Sequence, residues 1–240
     1  MRTLIILPTY NEIGNLRRTV YAIRSAQPDV SILIVDDNSP DGTGYEADLL
    51  AGEAPLHIFT LHRTSDRGLG RSYLDGFRWA LDRRRYDAIV TMDADGSHNP
   101  KYIQGMLSSL EAKPYNTIQG SRWVPGAGVS GWAKSRQLIS KAGSWYARQT
   151  LGLKVKDITG GFRAYSTIAL SYLDLDNFVS EGYSFQIETL YSLSSRGFEI
   201  TEYPIIFNER VSGSSKMSWG IALESLRNVT LWGWQRFTGR

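Results

Sequence analysis

Asp87-Ala88-Ile89-Val90-Thr91-Met92-Asp93-Ala94-Asp95-Gly96-Ser97 changes character after Met92. A nearly unbroken apolar run gives way to two carboxylates, a glycine and a serine. A run without polar alternation has no solvent face, so it reads as a strand covered on both sides, the condition of a parallel sheet. The polar end is then a loop at the carboxyl end of that strand, where open α/β sheets bind ligands. Two carboxylates two residues apart on a turning backbone can face one cavity and hold a divalent cation against a diphosphate. The same pair would also suit a solvated turn. Ser97 and His98 follow closely enough to add a ligand or a water contact.

The same unit recurs upstream. Thr3 to Leu7 reads as a strand that Pro8-Thr9-Tyr10-Asn11 breaks, and Ile13, Leu16, Val20 and Ile23 give Glu12 to Ser25 a helical stripe. Ser31 to Val35 is a second strand, ending in Asp36-Asp37-Asn38-Ser39-Pro40-Asp41-Gly42, with a short helix from Thr43. Carboxylates there can accept from base or ribose groups, while Asn38, Ser39 and Asp41 also suit an Asx turn and a helix cap. Leu56 to Leu61 is a third strand. Gly68 to Arg84 is a helix with Tyr73, Phe77 and Ala80 on one face. Alternating strand and helix predicts an α/β fold, a mostly parallel sheet flanked by helices in a single domain. Tyr10-Asn11-Glu12, Asp36-Asp37 and Asp93–Asp95 should therefore converge in one crevice. Beyond Asn116 the pattern turns irregular: Gly120 to Gly131 is loop-like and Lys134 to Thr150 helical. The expected organisation is a nucleotide-binding half (1–115), an acceptor-side half (116–216) and a C-terminal amphipathic helix (217–240).

Composition narrows the chemistry. The 240 residues contain no Cys and three His, so thiolate metal sites and thiol nucleophiles are excluded, and any metal must be held mostly by oxygen, as Mg²⁺ or Mn²⁺ prefer. The apolar stretches are too short to span a membrane, and the N-terminal one ends at Pro8, too early for a signal peptide; a cytoplasmic location is expected. Net charge is only +3, but from Ala112 to Lys156 eight Lys/Arg stand without one acidic residue, leaving 19 basic against 24 acidic elsewhere. Trp123, Trp132 and Trp145 lie in that block. Basic residues interleaved with Trp suit an anionic partner at an apolar boundary, either nucleic acid or a membrane surface with its lipid phosphates; a lopsided solvated surface is the plain alternative.

Further along, Arg210 and Lys216 flank a Gly/Ser stretch and could grip phosphate, as could Arg122 after Gly120-Ser121. Asp157-Ile158-Thr159-Gly160-Gly161-Phe162-Arg163 has paired glycines that allow close backbone approach.

Taken in order, Leu7 to Glu12, Val35 to Thr43, Gly68-Leu69-Gly70, Met92 to Asp95, Gly120 to Arg122, Asp157 to Arg163, Glu181 to Glu188 and Arg210 to Lys216 resemble the family-two glycosyltransferases, specifically the polyprenol-phosphate mannosyltransferases, over nearly the whole chain. The resemblance implies a GT-A (Rossmann-like) fold, GDP-mannose as donor, a polyprenyl (dolichyl-type) monophosphate as acceptor, and Mg²⁺ or Mn²⁺. By motif, Pro8, Tyr10, Glu12, Val35 and Asp37 would line the nucleoside pocket. Asp93, Ala94 and Asp95 would hold ribose, metal and diphosphate. Arg122, Arg210 and Lys216 would contact phosphates, and Arg136 and Ser140 the acceptor phosphate. Asp95, Arg122, Arg210 and Lys216 would carry the catalysis. Asp93, Asp95 and Ser97 would be the metal set, although Ser97 stands where some relatives carry Gln and is shorter. The resemblance also implies peripheral association with the cytoplasmic face of a membrane and a membrane-anchoring partner subunit.

A phosphate monoester is largely dianionic at neutral pH, its second pKa being about 6, so no protein base is needed and direct displacement would invert the anomeric centre. Ser218 to Phe237 reads as a helix with Trp219, Ala222, Leu223, Leu226 and Val229 on one face, suited either to an interface or to the core. Rival readings are a polyprenyl-phosphate glucosyltransferase or other transferase using a UDP-sugar, an inactive scaffold, and an RNA-binding module. The acidic strand ends would repel a polyanion, so no nucleic acid is expected as partner.

Overall fold

Alternating apolar runs and helical stripes become alternating strands and helices in the computed structural model, which describes residues 1–64, 67–178, 180, 182–209 and 219–238, with the backbone alone at 182–183 and 219–222. The first half runs β1 (Thr3–Thr9), α1 (Leu16–Ala26), β2 (Ser31–Asp36), α2 (Thr43–Glu53), β3 (Ile58–His62), α3 (Leu69–Arg83), β4 (Ala88–Thr91) and α4 (Ile103–Glu111). The second runs β5 (Thr117–Ser121), β6 (Gly128–Val129), α5 (Lys134–Leu151), β7 (Arg163–Ser166), α6 (Thr167–Ser171), α7 (Gly182–Ser195), β8 (Ile200–Pro204), β9 (Ile206–Phe207) and α8 (Trp219–Thr238).

Seven strands form one sheet in the order β3-β2-β1-β4-β7-β5-β8, and β6 pairs with β9. β3, β2, β1 and β4 are mutually parallel, as is the β5–β8 pair, while β7 runs antiparallel to both neighbours. The fold is thus single-domain α/β with a mostly parallel sheet. The unbroken apolar character of β1 follows from its place between two helix layers. Ile5 and Leu7 face a core with α1, α2 and α4; Leu4 and Ile6 face one with α3 and α7. A third cluster joins α5, α7 and α8 through Ala147, Leu151, Leu190 and Val229.

Several boundaries differ from the sequence reading. β1 continues through Pro8 to Thr9 instead of breaking at the proline. Thr9 O accepts from Asp37 N and Ile6 O from Met92 N, so Pro8 turns its missing donor toward the β4 side, beyond where β4 has ended. Strands β5 and β7 arise where the sequence pattern turns irregular, because they carry buried polar groups: Gln119 and Arg163 are fully buried, and Arg163 Nε donates to Gln119 Oε1 at 2.5 Å. On α8, Leu223 and Leu226 are exposed while Val229 is buried, so the expected single face is split between solvent and core.

Candidate functional site

A cleft of about 440 Å³ opens at the carboxyl edge of β1, β2 and β4. Across the sheet its wall carries Asp37 after β2, then Pro8, Tyr10 and Glu12 at β1, then Asp93, Ala94, Asp95 and His98 after β4, then Gly160 and Gly161 entering β7, then Arg122 after β5. The expected convergence of the three acidic loops is therefore present in the structure.

Of the paired carboxylates after β2, Asp36 is a scaffold. It accepts from the hydroxyls of Ser39 at 2.6 Å and Thr9 at 3.2 Å, and from the Ser39 amide at 3.1 Å. Asp37 reaches the cleft, ion-paired with buried Arg63, whose Nε also bonds Asp75 at 2.7 Å. Its second oxygen accepts from Gly68 N at 2.7 Å, where a φ of 150° requires glycine. Asn11 and Asn38, in the loops after β1 and β2, take left-handed φ values of 58° and 56°, which Asn tolerates. Arg67, absent from the expected set, stacks on Tyr10 at 5.2 Å and donates to its hydroxyl at 3.2 Å. Asp41 stabilises α2 from two residues ahead of its first residue: Thr43 donates its amide at 3.0 Å and its hydroxyl at 2.6 Å. Burial opposes the charge of Asp41, but these bonds and that from Ile13 N outweigh it and hold the carboxyl below its ordinary value. Val35 does not reach the cleft. It is fully buried toward α3, 3.5 Å from where a Cβ on Gly76 would sit.

The loop after β4 is fixed from several sides. Ala94 O accepts from Thr19 Oγ1 at 2.8 Å, and Asp95 Oδ1 from Ser97 N at 2.9 Å. Asp93 N donates to His98 Nδ1 at 3.0 Å, which assigns the imidazole proton to Nε2. Phe162 and Phe207 hold the His98 ring at 5.0 and 5.3 Å. Tyr73 donates to Asp93 Oδ1 at 3.4 Å, and burial, then the Asp93 charge, push that phenol well above its ordinary value. Ser97 does not line the cleft; its hydroxyl is buried with no hydrogen-bond partner. Among the described residues no three His, Asp or Glu side chains converge to enclose a metal. The donor set of Asp93 and Asp95 is all oxygen and would fit a hard cation whose other ligands a diphosphate and water would supply; the Ser97 hydroxyl, expected as a third ligand, is shut off from the cleft.

At the far end, Arg122 is 6% exposed and already engaged: Nε and Nη2 bond Asp157 at 2.7 Å each, and Nη2 also bonds Thr159 at 2.9 Å. Trp123, Trp132 and Phe207 surround its guanidinium at 5.4–5.5 Å. Arg136 lines the cleft, stacked 3.8 Å over Trp132, whereas Ser140, one helical turn on, does not line it. Arg210 and Lys216 lie outside the described residues. Trp132, Thr159, Gln186, Phe207 and Glu224 complete this end; the sequence reading named none of them as site residues, although the paired glycines pointed to the neighbouring wall.

The sequence model of the family described as Glycosyl transferase family 2 matches residues 4–173. The chain is 48% identical over 233 residues to undecaprenyl-phosphate mannosyltransferase of Micrococcus luteus, covering 97% of this chain and 94% of that protein. It is 46% identical over 232 residues to polyprenol monophosphomannose synthase of Mycolicibacterium smegmatis, covering 97% and 87%. Among solved structures, glucosyl-3-phosphoglycerate synthase of Mycobacterium tuberculosis with Mn²⁺, UDP-glucose and phosphoglyceric acid aligns at TM-score 0.68 and 15% identity, over 97% of this chain and 79% of that one. The same enzyme with Mn²⁺ and UDP-glucose aligns at TM-score 0.67 and 17% identity, over 96% and 77%. At such identities these structures speak for the fold alone. With the family's pattern running from β1 past β7 and relatives near half identical along almost the whole length, the protein is a glycosyltransferase and belongs to glycosyl transferase family 2.

Proposed function

We propose that this chain transfers mannose from GDP-mannose to a polyprenyl monophosphate, inverting the anomeric centre to give polyprenyl phosphate β-mannose. The observation that carries the reading is the order of groups along one cleft: carboxylates and aromatic Tyr10 at one end, the Asp93–Asp95 turn in the middle, Arg122 and Arg136 at the other. The two curated relatives are named for mannosyl transfer and for an undecaprenyl or polyprenol acceptor. Residues 1–115 take the nucleotide and residues 116–216 the acceptor side in this reading.

Pro8, Tyr10, Glu12 and Asp37 hold the nucleoside. The Arg63 pair fixes Asp37 so that its position costs no reorganisation when the donor enters. Asp93 and Asp95 are assigned to Mg²⁺ or Mn²⁺ with the diphosphate, without Ser97, whose hydroxyl is buried away from the cleft. When bound, the cation neutralises charge on the departing nucleoside diphosphate. Asp157 orients Arg122 at the wall facing the phosphates, and Arg136 on its Trp132 platform takes the acceptor phosphate. That phosphate is itself the nucleophile, so the protein's work is alignment and charge stabilisation.

A lipid acceptor requires contact with a membrane, and no helix among the described residues is long and apolar enough to cross one. Leu138, Ile139 and Trp145 on α5, with Leu226, Trp234 and Phe237 on the adjoining α8, are exposed, beside exposed Lys134, Lys141 and Arg227. This face lies on the headgroups in the proposed arrangement, with peripheral attachment at the cytoplasmic side.

The test is transfer of radiolabelled mannose from GDP-mannose to a polyprenyl phosphate in detergent or vesicles, with and without divalent cation. Cation-dependent label in the lipid phase, as the β anomer, is expected. The α anomer would overturn direct displacement. Transfer from a UDP-sugar with none from GDP-mannose would overturn the donor.

A further inference from the structure

Gln186, on the second turn of α7, has hydrogen-bonding capacity that the protein leaves unused. It lines the cleft while only 3% exposed, and its Oε1 is buried with no donor. Its Nε2 lies 3.3 Å from where a Cβ on Gly161 would sit, a point 3.6 Å from Asp93 Oδ1. A buried carbonyl without a partner costs free energy, and such a group in a native structure calls for an explanation. An amide can exchange its two ends by turning about one torsion, so either end can be presented to the cleft.

Sheet order says what would meet it. The nucleoside flank stands at β2 and β1, the Asp93–Asp95 turn at β4, and Gly160–Gly161 on the far side, leading into β7. In a sugar nucleotide the hexosyl group is joined to the terminal phosphate. With the nucleoside toward β2 and the diphosphate at β4, the hexosyl group falls on the β7 side, beside Gln186. Gly160 and Gly161 bring no side chain into that space, and Cβ atoms there would crowd Gln119 at 2.7 Å and Gln186 at 3.3 Å. The half-buried carboxylate of Glu224 lines the same end from α8. Ser184 and Ser225, bonded at 2.9 Å, clasp α7 to α8 two residues from Gln186 and one from Glu224. An amide and a carboxylate suit a polyol, whose hydroxyls both donate and accept.

We infer that Gln186 is a specificity residue that hydrogen-bonds hydroxyls of the donor's hexosyl group, with Glu224 as a second acceptor across the pocket. The inference rests on the sugar-nucleotide reading of the cleft and names the part of the donor that this wall recognises. It separates two contributions to donor affinity. Nucleoside diphosphate alone does not reach Gln186, whereas the intact sugar nucleotide does.

Calorimetric titration of GDP and of GDP-mannose, each with Mn²⁺, into wild type, Gln186→Met and Gln186→Asn tests this, with melting curves as the folding control. Both variants should bind GDP as wild type does, and Gln186→Met should bind GDP-mannose roughly ten-fold more weakly, one hydrogen bond's worth of discrimination. Transfer by Gln186→Met should fall at least as far, with lost discrimination between GDP-mannose and GDP-glucose. Equal loss for GDP and GDP-mannose in both variants would make Gln186 structural and overturn the inference, as would no loss for either ligand. Wild type that binds neither GDP-mannose nor a UDP-sugar would instead overturn the parent reading, and the inference with it.

Discussion

At the scale of single residues, the cleft is held open by buried charge. Asp157 is fully buried against Arg122, and nothing in the local sequence pairs two residues 35 positions apart. Removing one partner of a buried pair leaves the other charge uncompensated, worth about 3–5 kcal/mol. Asp157→Ala should therefore lower unfolding stability in urea by about that amount and release Arg122 from the cleft wall, with Asp157→Asn milder; an unchanged midpoint would show the pair to be dispensable. Asp95→Ala should abolish cation-dependent transfer while leaving the melting curve close to wild type; retained turnover would remove Asp95 from the cation set. The carboxylate-rich loops were legible because strand ends are visible as breaks in apolar runs. The family motif names Asp37, and Asp37 is the one that lines the cleft; composition and spacing alone do not separate it from Asp36, since that depends on Arg63, which lies far along the chain from both. Val35 and Ser140 show the same limit in reverse: a motif names the residue, while strand alternation and helical phase decide where its side chain points.

At the scale of elements, strands built as apolar runs announced themselves, and those that carry buried polar groups did not, although β5 and β7 are just as buried. β1, β2 and β4 read as apolar runs; β7 is Arg163-Ala164-Tyr165-Ser166, a strand only because Arg163 finds Gln119, Tyr165 and the Ile158 carbonyl as neutral partners inside the sheet. On α8 the helical stripe was legible, but its division between core and outside depends on α5, against which Gly233 packs so closely that a Cβ would run into Thr150. The outward residues of α5 carry a testable claim. Replacing Leu138, Ile139 and Trp145 together with Ser should reduce sedimentation with anionic vesicles several-fold while leaving melting unchanged, because these side chains lie outside the core. Undiminished sedimentation would place the membrane contact elsewhere.

At the scale of the whole molecule, carboxylates set the acid limit of stability. Asp87 is held below its ordinary value of 3.8 by the hydrogen bond from Arg2, and Asp41 is held below that value as well. Groups depressed in the folded state stabilise it above their ordinary value and lose that contribution as pH falls through the folded one. The melting temperature should stay level from pH 7 to about 4 and decline below, and Asp41→Asn should flatten the decline. An identical slope in the variant would take Asp41 out of that account. The basic block that stood out in the sequence is partly consumed internally: Arg122 is buried, while Lys134 and Lys141 remain outside.

The antiparallel strand in the middle of the sheet also bears on how the polypeptide is born. β5 has as neighbours only β7 and β8, both of which come later in the chain, so it cannot be paired when it leaves the ribosome. About 40 further residues must be translated before β7 emerges, a delay of roughly 2–8 s at ordinary elongation speeds. During that interval the nascent chain presents a finished β1–β4 platform with a bare edge at β4, and slowing of translation just past Ser121 would prolong the exposure of that edge to chaperones or to misassembly.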